Sequence, residues 1–177
     1  IGLTLIAVLW FRNMLADPPR RLAWDKRVLG MRWVGDLVAK IETARLSRTL
    51  GTLLTNGVPL LSALSIARNV IGNTVMKQDV QDTAREVKTG GGLARNLDRE
   101  GRFPRLALQM ISVGEETGKL DEMLMKVSDT YDQEVRNTID RLLSVFTPVV
   151  TLLLAVMIGT IVLSVLMAIL SINELVA

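Results

Sequence analysis

From Phe146 to Leu170 the chain reads FTPVVTLLLAVMIGTIVLSVLMAIL, 25 positions without a charged residue. As a helix rising roughly 1.5 Å per residue, this run is about 37 Å long, enough to cross a hydrocarbon core of about 30 Å. Inside a soluble domain a helix apolar on all sides would need apolar partners all round. The rest of this chain is too polar to supply them, so the run reads as a membrane span over residues 146–172, followed by a short tail, 173–177. A second apolar run, Ile1 to Phe11, is too short to cross by itself, and is expected to be the end of an earlier transmembrane helix.

The distribution of charge orients the span. All 21 Lys and Arg residues lie between Arg12 and Arg141, and beyond the last run there is only Glu174. That asymmetry follows the positive-inside pattern, which puts residues 12–145 in the cytoplasm and the C-terminus on the far side of the membrane. A net charge of +3 invites a nucleic-acid reading. Yet nearly all the acids share the same middle segment and aromatics are few, so no nucleic-acid partner is expected. Neither histidine nor cysteine occurs, which removes imidazole and thiolate catalysis and the usual zinc and haem ligands. No cofactor and no metal site is expected.

Residues 12–37 combine prolines, glycines, basic residues, Leu22, Trp24 and Trp33, and read as an interfacial linker. The tryptophans suit either the headgroup level of a membrane or a place packed beneath the following domain. From Leu37 the spacing turns helical. Leu46, Leu50, Leu53 and Leu54 form a stripe that stops at Asn56-Gly57. Pro59 opens a second helix, Leu60 to Ile71, with Leu61, Leu64, Ala67 and Ile71 on one face. Asn73 caps a third, directed inward by Met76, Val80, Ala84 and Val87 and ended by Gly90 to Gly92. A short fourth helix runs from Leu93 to Arg99. A fifth, after Phe103-Pro104, aligns Leu106, Met110 and Val113 before the stretch Gly114 to Gly118 interrupts it.

The sixth helix opens near Leu120 and steps through Leu124, Val127, Tyr131, Val135, Ile139 and Leu142. No polar linker separates it from the apolar run, so the two form one helix, bent near Pro148, which cannot donate to the carbonyl of Ser144. No stretch alternates with the period of a strand. The fold class is therefore all-α: an antiparallel bundle of about six helices over residues 38–145, its last helix continuing into the membrane.

Two motifs need weighing. GEETGK, Gly114 to Lys119, has a glycine-rich look but lacks the four-residue spacing and the hydroxyl residue of a phosphate loop. Glu115 and Glu116, as neighbours, point in different directions and do not form an acid–base pair by default. They belong to a solvated corner between helices or to a docking surface for a basic partner. In the span, Ala155 and Gly159 stand four apart with Ser164 nearby, a pattern that suits close packing against another membrane helix, although small residues are common in spans.

Arg48-Thr49-Leu50, Gly57-Val58-Pro59-Leu60-Leu61 with Ala63-Leu64 and Ala67, Gly92-Leu93-Ala94, Phe103-Pro104, Met110-Ile111, Val113-Gly114-Glu115, Thr117-Gly118 and Leu120 occur in an order and at intervals that carry a resemblance. Over about residues 38–172 the chain resembles the bacterial type II secretion system F family, the inner-membrane platform protein shared with type IV pilus assembly systems. The resemblance implies a non-enzymatic scaffold of the inner membrane, the C-terminal half of a longer protein with three membrane helices. Its implied partners are the cytoplasmic secretion ATPase, the other platform proteins, pseudopilins and the lipid bilayer, with homo-oligomer formation expected. Gly57, Pro59, Gly114, Glu115, Glu116, Gly118 and Leu120 become candidates for partner contact. Two positions depart from the family pattern. Thr147 stands where a Glu often precedes the proline, and Leu46 where an aromatic is common.

Overall fold

The computed structural model describes residues 18–32 and 34–176, with side chains described for 21–32 and 34–167. The first apolar run, residues 12–17 of the flank that follows it, and Trp33 lie outside the described residues. Seven α-helices are present among them: α1 (Pro18–Gly30), α2 (Val34–Thr55), α3 (Leu60–Ala67), α4 (Thr74–Lys88), α5 (Leu93–Asp98), α6 (Arg105–Thr117) and α7 (Leu120–Val176). A single 3-10 turn, Arg68–Val70, follows α3. No strand occurs among the described residues. The chain divides into two units, the first ending at Val135 and the second beginning at Arg136.

In the first unit, helices α2 to α7 alternate in direction around one apolar core. Its most deeply buried side chains include Leu46, Leu50, Leu64, Met76, Val80, Leu93, Leu97, Leu124 and Val127. Leucines at positions 46 and 50 lie on the stripe expected of them, and Asn73 is the cap expected of it. The Asn73 side-chain oxygen accepts from the amides of Val75 and Met76 at 3.0 and 3.1 Å, pairing donors that a helix start leaves without partners. The end of α2 is a Schellman turn. Gly57 takes φ 78, its N–H donates to the Leu54 carbonyl, and the N–H of Val58 donates to that of Leu53, a turn that a side-chain-bearing residue adopts only at a cost.

Several expectations need correction. The linker 12–37 contains a helix, α1, whose half-buried residues are Asp25, Val28 and Leu29. Helix α3 stops at Ala67, short of Ile71, and Pro59 is its N-cap residue, just outside the first turn. Leu61 is 41% exposed, its place in the core being taken by fully buried Ala63. In α6 the buried face is Ala107, Leu108, Ile111 and Gly114, while Leu106 and Val113 are nearly half exposed. The stripe read from the larger side chains was rotated by one residue, because a close helix contact selects small residues such as Ala107 and Gly114, which carry little hydrophobic signal.

The second unit is the remainder of α7. The helix runs unbroken through Pro148 to Val176, so residues 173–176 are helical where a separate tail was expected. Among the described residues α7 alone is long and apolar enough to cross a membrane.

Candidate partner-binding end of the bundle

Because the helices alternate in direction, the turns α2–α3, α4–α5 and α6–α7 come to the same end of the first unit. Three hydrogen bonds to side chains tie them together. At the end of α2, the Thr55 hydroxyl donates to Asp121 in the first turn of α7 at 3.5 Å. From the last turn of α6, Glu115 reaches the start of α5, where its two oxygens accept from the backbone amides of Leu93 and Ala94, the latter at 3.0 Å. The two stretches richest in candidate residues, Gly57 to Leu61 and Gly114 to Leu120, are thus brought to one end although some fifty positions separate them in sequence.

The candidates play different parts there. Gly114 is buried inside α6 rather than in a turn. A Cβ on it would stand 2.9 Å from the Leu120 Cα and 3.0 Å from the Met123 Cβ, so its missing side chain is what lets α7 pass at that distance. Gly118 is the residue that ends α6, at φ 69, and the next amide, that of Lys119, returns to the Gly114 carbonyl at 2.9 Å. The VGEETG stretch is therefore the last turn of a helix and its Schellman stop, and the interruption begins only at Gly118. Leu120 is half-buried against the core. Gly57 and Pro59 are exposed in the neighbouring turn.

Glu115 and Glu116 do diverge, as adjacent helical residues must. Glu115 is half-buried and engaged with α5, which it supplies with the negative charge and acceptors that a helix start favours. Both of its oxygens are taken up in capping α5. Glu116 is exposed and accepts from the Ser112 hydroxyl at 3.1 Å. Beside it, the Lys126 ammonium at 2.9 Å from Glu122 holds that carboxyl below the usual range. The outward-facing charged groups around the α6–α7 turn include Glu116, Lys119, Glu122 and Lys126, a surface of mixed sign.

At the opposite end stands a second carboxylate cap that sequence reasoning missed. Glu42, 6% exposed, accepts from the amides of Gly72 and Asn73 at 2.9 and 3.2 Å. Asp25 of α1 adds bonds to the amide and hydroxyl of Thr74 at 2.8 and 2.6 Å. A signal was present for both glutamates: Glu42 falls four residues before Leu46 on the buried stripe of α2, and Glu115 four after Ile111 on that of α6. An acid at such a position is buried, and needs donors.

Ion pairs bind α7 to α2 along the first unit. Arg48 reaches Asp129 at 3.1 Å and also Asp132. Lys40 bridges Asp36 at 2.9 Å and Glu134 at 3.0 Å, bonds that raise its pKa. Between α4 and α5, a polar cleft of about 360 Å³ is lined by Asp79, Asp82, Thr83, Glu86, Asn96 and Arg99 among others. Burial raises the Asp79 pKa against the opposing pull of Arg102 at 2.6 Å. None of the candidate residues lies there.

In the second unit, Ala155 and Gly159 lie one helical turn apart, and space is open around Gly159. Ser164, nine positions after Ala155, falls about half a turn away around a helix of 3.6 residues per turn, so the three do not share one face. Its hydroxyl donates to the Thr160 carbonyl at 2.8 Å, as Thr151 and Thr160 donate to the carbonyls four residues before them. These hydroxyls are satisfied within their own helix, which suits an apolar surrounding.

Comparison with known proteins agrees with the arrangement of motifs. The pattern described as type II secretion system (T2SS), protein F matches residues 46–168. The chain is 50% identical over 158 residues to the type II secretion system protein F of Xanthomonas campestris, covering 89% of this chain and 39% of that protein. It is 35% identical over 175 residues to the protein of the same name from Vibrio cholerae, covering 99% of this chain and 43% of the relative. The type IV pilus assembly protein PilC of Pseudomonas aeruginosa is 38% identical over 135 residues, covering 76% of this chain and 36% of the relative. The chain thus spans about two fifths of the length of these curated relatives. With a helical bundle running into an apolar helix and the family pattern matched across both, the chain belongs to the type II secretion system protein F family.

Proposed function

We propose that this chain is part of a non-enzymatic inner-membrane platform protein of a type II secretion system, which couples a cytoplasmic secretion ATPase to the assembly and extraction of pseudopilins. In this reading the bundle is cytoplasmic, the C-terminus is periplasmic and the protein crosses the membrane more than once. Other platform proteins, the lipid bilayer and further copies of the chain are its remaining partners. The observation that carries the reading is the continuity of α7 from Leu120 to Val176 in a chain of this family. A helix of that kind passes on tilt or rotation that a flexible linker would dissipate.

Inserting a Gly/Ser segment after Ser144 should abolish secretion while the protein still inserts in the membrane; normal secretion by that variant would overturn the relay. Glu116→Lys tests the partner-binding end, since Glu116 is exposed and takes no part in capping. It should leave stability within about 0.5 kcal/mol and weaken capture of the ATPase or platform proteins in a pulldown. Unchanged capture would remove Glu116 from the contact.

The similarity to PilC supports a second reading, the platform of a type IV pilus. The two differ in which ATPase and which pilin-like subunits co-purify with the protein.

A further inference from the structure

We propose that the exposed side of α1 and the turn leading into α2 is a docking surface for an anionic phospholipid membrane, an inference that rests on the membrane reading above. Helix α1 is fastened to the bundle by one side. Asp25 bonds Thr74, and Leu29 packs against the core. The opposite side, with Ala23, Lys26, Arg27 and Gly30, is exposed. Around it stand large apolar side chains that the bundle leaves open: Leu22 and Trp24 at 42% exposure, Met31 at 50% and Val34 at 47%.

The charge of this surface has one sign. Arg21, Lys26, Arg27 and Arg32 are all exposed. Arg21 donates to the Gly72 carbonyl, while Lys26, Arg27 and Arg32 form no ion pair with a described residue. The acids close in sequence are otherwise engaged, Asp25 with Thr74 and Asp36 with Lys40. Elsewhere on the bundle Arg48, Arg85 and Lys126 have carboxylate partners, whereas exposed Lys88, Arg95, Arg105 and Lys119 have none among the described residues, so what distinguishes the α1 side is that its cations stand among exposed large apolar side chains. A basic surface interleaved with tryptophan and aliphatic side chains matches the headgroup region of a membrane, where anionic lipid attracts the cations and amphipathic rings settle. Long basic side chains reach the phosphates while their stems and the neighbouring apolar groups lie deeper. Trp24, 42% exposed, keeps part of its ring open to such a layer.

The test uses the whole chain carrying Trp10→Phe and Trp33→Phe, which leaves Trp24 as the only tryptophan of the three. The protein is reconstituted in phosphatidylcholine vesicles with and without phosphatidylglycerol, each with brominated acyl chains that quench an indole in contact with the bilayer. Trp24 fluorescence should be quenched more strongly in the anionic vesicles. The difference should be lost in Lys26→Gln/Arg27→Gln/Arg32→Gln, and lost with rising salt when those residues are unchanged. Flotation of the vesicles reports membrane insertion separately. A chain that floats while Trp24 is quenched equally in both compositions, or in neither, overturns the proposal alone, and absence from both leaves the basic side to an acidic protein. A chain that does not float overturns it together with the membrane reading.

Discussion

The two parts of α7 on either side of Val135 show what tertiary packing asks of a helix. Up to Tyr131 every third or fourth side chain is buried, with Leu124 and Val127 fully enclosed, and polar groups bond to other helices, as Asp129 and Asp132 do to Arg48. From Ile139 onward the large apolar side chains are exposed all round, and the hydroxyls bond only to the carbonyls of their own helix. The first part has one inward face because its surroundings are half water and half protein. The second has none because it is built for a medium apolar on every side.

The largest effect that separates the two should come from truncating leucines. Leu50→Ala, at a side chain with no exposure, should destabilise the bundle by about 3 kcal/mol. Leu153→Ala, 64% exposed, should leave the bundle's unfolding unchanged. Equal midpoints in denaturant for the two variants would erase the distinction.

Glu115→Ala should come next, at about 2 kcal/mol, since it strips the amides of Leu93 and Ala94 of a charged acceptor. Hydrogen exchange should show α5 opening first; exchange of α5 at its original rate would show that water replaces the carboxylate. Asn73→Ala should lose about 1 kcal/mol through the start of α4. Ser164→Ala, in the other unit, should alter stability by less than about 0.5 kcal/mol, because the hydroxyl it removes serves only its own helix.

A smaller effect concerns pH. Burial raises the Asp79 carboxyl above 3.8 in the folded protein, so the folded state holds that proton more tightly than the unfolded chain. This contribution is greatest below 3.8 and falls as pH rises through the raised folded pKa. Asp79→Asn should remove that downward component from the stability profile, and a profile of unchanged slope would assign the dependence to other groups.

Much of the fold was readable because its signals are local. Gly57 and Asn73 act within a few residues of themselves, as turn and cap chemistry does, and each stands where its type predicted. The stripe Leu46, Leu50 survived because its large side chains face a wide interior. Leu61, Leu106 and Val113 misled because size alone was taken for inwardness, whereas α3 and α6 meet their neighbours through Ala63, Ala107 and Gly114. The candidate end was half legible. GVPLL and VGEETGKL stood out separately, but nothing in either showed that they meet, or that Glu115 serves α5.

By itself the sequence determined the all-α class, the stop of α2 at Gly57 and the length and apolarity of the final helix, because composition and nearest-neighbour geometry decide these. Only the tertiary structure decided which carboxylates are caps, which helix faces meet and where the three turns gather. Each of those depends on a donor or a surface supplied by a distant part of the chain. Glu115 is identical in sequence terms to Glu116, and the amides of Leu93 and Ala94 make one of them structural and leave the other facing outward.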